Sequence, residues 1–134
     1  MSFIIYGSYG CGFTRSLLTM MNEKNIKFIN KVSHNNNFND IIKNAKLEMN
    51  NIKNKNKLQN YRTIPLVFFS YDNEIIFIGG RDDFIYIYDK IKEYSNYAIK
   101  MNKLDDFKIE INKLKMKNKV INYMIEQIIN SFNK

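Results

Sequence analysis

Among its 134 residues the chain has one cysteine, one histidine, one proline and no tryptophan. A single thiol closes no internal disulfide, so neither an oxidising compartment nor a cystine-stapled small fold is implied. The lone histidine, His34, lies in the polar run Ser33-His34-Asn35-Asn36-Asn37 with no thiol or second imidazole at ligand spacing. A solvated loop residue is expected there, and a zinc site made by the chain alone is not. No apolar run approaches the ~20 residues that a membrane helix needs. The first residues also lack the basic-then-apolar pattern of a secretory signal. The expectation is therefore a cytoplasmic protein with no membrane partner. Glycine is scarce too, at five positions, so its placement at Gly7, Gly10, Gly12, Gly79 and Gly80 carries information.

The hydrophobic fraction is 45%, enough for a real core, and the length suits one domain with an appendage. The formal net charge is +8. Such a chain attracts anions, but its lysines are scattered through Asn- and Ile-rich stretches and no arginine cluster appears. Nucleic acid is not the expected partner.

Apolar spacing sets out the elements. Residues 3–6 are an apolar run closed by glycine, a buried strand. Phe13, Leu17, Leu18 and Met21 recur at helical spacing over residues 12 to about 24. Residues 26–29 read as a second short strand and 33–37 as a loop. Phe38, Ile41, Ile42, Ala45 and Met49 form one face of a second helix that fades over 54–60. Pro65 introduces a strong strand at 66–69. A turn at 71–74 leads into a strand at 74–78, which closes on Gly79-Gly80. A third helix is predicted from Asp82 or Asp83 to about residue 94. The order β-α-β-α-β-β-α implies an α/β fold: a parallel pair joined by a crossover helix, extended by an antiparallel hairpin. A mixed four-stranded sheet flanked by helices follows, which resembles the thioredoxin-like architecture.

Cys11 falls where the first strand gives way to the first helix. A helix start offers unpaired N–H groups and the positive end of the dipole, the setting in which thiols become reactive thiolates. A thiolate there can accept N–H bonds from Gly12, Phe13 and Thr14. A buried cysteine acting as a small hydrophobe fits the same segment, and the segment alone leaves both readings open.

Three segments combine: Tyr6-Gly-Ser-Tyr-Gly-Cys-Gly-Phe-Thr14, Tyr61-Arg-Thr-Ile-Pro65, and Ile78-Gly-Gly-Arg-Asp-Asp-Phe84. In that order, over residues 1–95, they resemble the glutaredoxin family. The resemblance implies a glutathione-dependent thiol–disulfide oxidoreductase with Cys11 as nucleophile and Gly12, Phe13 and Thr14 as its active-site turn. It implies a cis-proline at Pro65, with Ile64 offering its backbone to glutathione beside Thr63. It implies that the Gly79-Gly80 turn, with Asp82 and Asp83 opening a helix, receives the γ-glutamyl end. Implied partners are glutathione and glutathionylated proteins, acting on a monomer or homodimer.

Three departures shape the expectation. Thr14 stands where many members have a second cysteine, so the active turn resembles the monothiol Cys-Gly-Phe-Ser class. That class commonly holds a [2Fe–2S] cluster between two protomers, which would make Cys11 an iron ligand. The class's Trp-Pro is here Tyr61-Arg62. Ser8 occupies a place where many members carry Lys or Arg, so Ser8→Lys is expected to tighten glutathione binding. Arg62, and after it Arg15, are the expected substitutes for the missing cation. A glutaredoxin-fold interaction protein without activity is the remaining alternative.

Beyond the resemblance, residues 96–134 form a second region. Leu104, Phe107, Ile111, Leu114, Asn118, Ile121, Ile125, Ile128 and Phe132 alternate spacings of three and four, a heptad seam with one Asn in it. A coiled-coil dimer and helices packed on the protomer itself both fit. Met124 and Ile129 widen the apolar face, so a C-terminal helical extension packed on the domain is expected.

Overall fold

Phe3, Ile4, Ile5 and Tyr6 are all buried although neighbouring strand residues face opposite ways. Burial on both faces makes their strand central. The computed structural model describes residues 2–52 and 54–101, with 124, 126–128 and 130. Its elements run β1 (Ser2–Ser8), α1 (Gly12–Glu23), β2 (Phe28–Ser33), α2 (Phe38–Glu48), α3 (Lys55–Gln59), β3 (Leu66–Tyr71), β4 (Glu74–Gly79) and α4 (Arg81–Met101). The fold is α/β, with one four-stranded mixed sheet in the order β2-β1-β3-β4. β1 pairs parallel with β2, and β1–β3 and β3–β4 are antiparallel. On one face Ile4, Tyr6, Leu66, Phe68 and Phe77 meet Ile41, Ile42 and Ala45 of α2 and its C-cap Met49. On the other, Phe3 packs edge-on against Phe69 and Phe84, with ring centroids 5.0 and 5.2 Å away.

β2 starts later than its apolar residues suggest. Ile26 belongs to the end of α1 instead. Asn25 takes a left-handed φ of 56°, its N–H bonds the Asn22 carbonyl, and the Ile26 N–H reaches back to Met21. That pair of bonds closes a helix in a Schellman motif, whose apolar residue packs back on the last turn. β2 then follows β1 as far as Ser8↔Ser33.

The edge strand β4 is covered. The Asn54 amide donates to the Phe77 carbonyl (2.6 Å) and accepts the Phe77 N–H (2.9 Å). Lys57 Nζ donates to the Ile78 carbonyl (2.6 Å). These side chains satisfy edge groups that another chain would otherwise pair with. They project from α3 and the residue before it, a helix the apolar spacing did not reveal.

The chain divides into two compact units, Met1–Phe84 and Ile85–Lys134. In the second, Ile87, Tyr88, Ile91, Met124 and Ile128 are buried. α4 continues to Met101, past the expected end near 94. The expected heptad seam lies outside the described residues except for Ile128. No helix among the described residues is long and apolar enough to cross a membrane.

Candidate functional site

β1 ends in a turn held by one buried hydroxyl. Ser8 Oγ donates to the Asn35 carbonyl (2.7 Å) and accepts the Gly10 N–H (3.1 Å), and Ser8 is fully buried. This overturns the expectation for Ser8→Lys. The position faces the interior, where an ammonium has no water and no partner, so the side chain there is structural. The Cys11 N–H returns to the Ser8 carbonyl (3.0 Å), and the Cys11 carbonyl accepts the Arg15 N–H (3.1 Å) as the first bond of α1.

Cys11 is the N-cap of α1, with φ −97° and ψ 123°. Its thiol accepts none of the first-turn N–H bonds that the sequence led us to expect. It packs instead in an apolar cluster with Ile42 and Ile64, at 7% exposure. Gly12 and Phe13 face outward while Thr14 is fully buried. Thr14 Oγ1 has no hydrogen-bond partner among the described residues. It lies against Gly7, where an added Cβ would approach Oγ1 to 2.6 Å. Gly7 is therefore the packing partner that lets the third residue of α1 close onto β1.

Two further segments meet this turn. The Ile64-Pro65 bond is cis, as the resemblance implies, and both residues are buried. Gly80 lies under the Tyr61 hydroxyl and beside the Pro65 carbonyl, at 3.5 Å from an added Cβ. Gly79 has φ +133° and faces the Asp83 carboxylate so closely that only glycine fits. Asp83 Oδ2 accepts the Gly80 N–H (2.8 Å), a capping-box bond for α4, and the Tyr61 hydroxyl donates to the same oxygen (3.3 Å). Burial, with the Asp83 charge adding to it, raises the Tyr61 pKa against the opposing effect of hydrogen bonds to Thr63 and Gly80. Asp83 is thus occupied as a cap, and Asp82 is exposed and paired with Arg81 (3.0 Å).

Arg81 ties the turn to the thiol's helix. Its guanidinium stands 4.6 Å from the Phe13 ring centroid and reaches Ser16 Oγ at 3.4 Å. Arg15 Nη1 donates to the Tyr9 carbonyl (3.2 Å), in the loop before Cys11. Two cations therefore stand at the Cys11 turn. Sequence reasoning ranked one second and overlooked the other, because nothing local to Arg81 signals a contact 65 residues away. Arg62 is placed differently. It is exposed, donates to the Gln59 carbonyl (3.0 Å) and lines a pocket with Lys43 and Lys46. Thr63 is exposed between Arg62 and Ile64.

No protein-family model, no curated protein and no solved structure matches this chain. The site is read from its own geometry. Cys11 and Ile64 share a cluster, Pro65 abuts Gly80, and Arg81 crosses to Phe13. The Cys11 turn, the cis Ile64-Pro65 bond and the start of α4 thus belong to one region of the first unit. A cluster of two irons needs four ligands, and the chain supplies one thiolate. Among the described residues no three His, Cys, Asp or Glu side chains gather to add to it.

Proposed function

We propose that this chain is a thioredoxin-like, glutaredoxin-type oxidoreductase that removes glutathione from mixed disulfides through Cys11. The supporting observation is the convergence of the three sequence segments: Cys11 and Ile64 in one buried cluster, Pro65 against Gly80, and Arg81 over Phe13. The strand order and the parallel β1–β2 pair with α1 crossing between them fit the same architecture.

In the proposed reaction the Cys11 thiolate attacks the glutathione sulfur of a protein–glutathione disulfide. The S–S bond of the mixed disulfide breaks, and the protein leaves as a cysteine thiolate that takes a proton from water. Cys11 is left disulfide-bonded to glutathione. A second glutathione thiolate attacks that glutathionyl sulfur, releasing oxidised glutathione and regenerating the Cys11 thiolate. No resolving cysteine is required, which suits a chain with Thr14 in the second position. The Ile64 backbone would pair with the cysteinyl part of glutathione, and the first-turn N–H groups of α4 would receive a carboxylate. Arg15 and Arg81 are cations in contact with the residues flanking Cys11, at Tyr9 and Phe13.

The test uses the mixed disulfide of glutathione and 2-mercaptoethanol as substrate. The full chain should turn it over with glutathione, and stoichiometric reaction without added glutathione should add one glutathionyl group to the intact mass. Cys11→Ser should abolish both. Turnover that survives in Cys11→Ser, or a wild-type chain with neither turnover nor adduct, would sink the reading.

A further inference from the structure

The first unit carries a surface pocket of about 380 Å³ lined by Asn39, Ile42, Lys43, Lys46, Leu47 and Arg62. Its charge is uncompensated. Lys46 Nζ and Arg62 Nη1 both donate to one neutral acceptor, the Gln59 carbonyl, at 3.0 Å each. Among the described residues no carboxylate forms an ion pair with Lys43, Lys46 or Arg62. Burial and then the Arg62 charge lower the Lys46 pKa, the response of a cation held beside another without an anion. The same pocket has apolar surface. Leu47 is 65% exposed, and Ile42 reaches from the pocket into the cluster that holds Cys11 and Ile64. Arg62 precedes Ile64 by two residues, at most about 7 Å of extended chain.

We propose that this pocket docks an acidic segment of a partner protein, with carboxylates on the three cations and an apolar side chain against Leu47. Resting on the function proposed above, that partner is the glutathionylated substrate, and the pocket selects substrates with acidic residues near the modified cysteine. Charge complementarity sets the sign of the ligand. The apolar floor argues for a peptide over a free inorganic anion, which would leave Leu47 uncovered. The pocket has no aromatic ring for a nucleobase to stack on, which argues for a peptide over a single-stranded nucleic acid.

The experiment measures anisotropy of a short fluorescein-labelled peptide alternating Glu and Leu, titrated with the full chain. Binding should weaken as salt rises. Lys43→Glu changes an exposed residue outside the thiol site and should weaken binding about five- to tenfold. A Gln/Leu peptide should bind the unaltered chain more weakly by a similar factor. Cys11→Ser should bind the Glu/Leu peptide unchanged. Equal binding of the two peptides, or no effect of Lys43→Glu, would refute the docking site. So would an oligothymidylate bound more tightly than the peptide and dependent on Lys43. A dimer in light scattering that Lys43→Glu disperses would show a second copy in the pocket and overturn the proposal. The two proposals fail separately. Peptide binding without thioltransferase turnover leaves the docking site and removes the substrate role. Turnover with Lys43-independent peptide binding leaves the reaction and removes the docking site.

Discussion

Ser8 shows how one side chain reverses its meaning once its surroundings are known. Read along the chain it is the residue that replaces a cation. In the fold it is a fully buried hydroxyl that accepts from Gly10 and donates to Asn35, joining β1 to the loop before α2. Ser8→Ala should cost about 1–3 kcal/mol, because it leaves a buried donor and a buried acceptor without their partner. Ser8→Lys should cost more, since it adds an ammonium to the same space. Urea unfolding of both variants checks the order, and a stable Ser8→Lys protein would show that the side chain escapes to solvent. Thr14 is the converse case. The sequence predicts it in the active-site turn at Cys11; in the fold it is the third residue of α1, and its hydroxyl lies against Gly7.

Among the elements, α3 matters most for its size. It is a five-residue helix with one buried residue, Leu58, too short to leave a periodic signal. Its role is at the sheet margin, where Asn54 and Lys57 occupy the outward groups of Phe77 and Ile78. The register between β3 and β4 slips at Val67/Phe68, so pairing is already irregular there. Asn54→Ala should lower stability by about 1–3 kcal/mol and uncover an edge able to pair with another copy. Chemical denaturation reads the first effect and concentration-dependent light scattering the second. Unchanged values in both would mean that water replaces the amide without loss. α1 and α2 were far more legible, because each buries several residues at a spacing of three or four. Asn37 also caps α2 by accepting the Asp40 N–H.

At the scale of the whole molecule, the groups with displaced titrations decide how stability responds to pH. Tyr6 is raised above its ordinary 10.0 by burial and by the Glu48 carboxylate that accepts its hydroxyl. Tyr61 is raised chiefly by burial. For both, the folded state holds the proton more tightly than the unfolded chain. Their contribution is therefore complete below about pH 10 and lost as pH rises above it. Lys57 is lowered from 10.5, chiefly by burial. Its folded form releases the proton earlier, so it regains stability as pH climbs toward the unfolded value. Tyr6 carries a large shift, and three raised tyrosines, with Tyr88 the third, stand against two lowered lysines, Lys57 and Lys46, so melting temperature should fall above pH 10. Tyr6→Phe should flatten the fall, and identical alkaline slopes for the two proteins would remove Tyr6 as its source.

The sequence by itself determined the features written within a few residues of each other. These are the two-sided burial of residues 3–6, the helical faces after Gly12 and Phe38, the hairpin about residue 72, the glycine pair before α4, and a lone cysteine at a helix start. Each depends on local dihedral preference or on a period of 2 or 3.6, which neighbouring residues suffice to express. The tertiary structure alone decided what depends on residues distant along the chain. It turned Ser8 inward, sent Arg62 to Lys46 and Lys43, and brought Arg81 to Phe13. It also folded Cys11 into the buried cluster that includes Ile42 and Ile64, with no bond from its thiol to its own helix's N–H groups. The physical reason is that burial and charge pairing are properties of the space around a side chain. That space is closed by segments far along the chain, 27 residues away for Ser8 and 65 for Arg81, and no local pattern encodes which of them arrives.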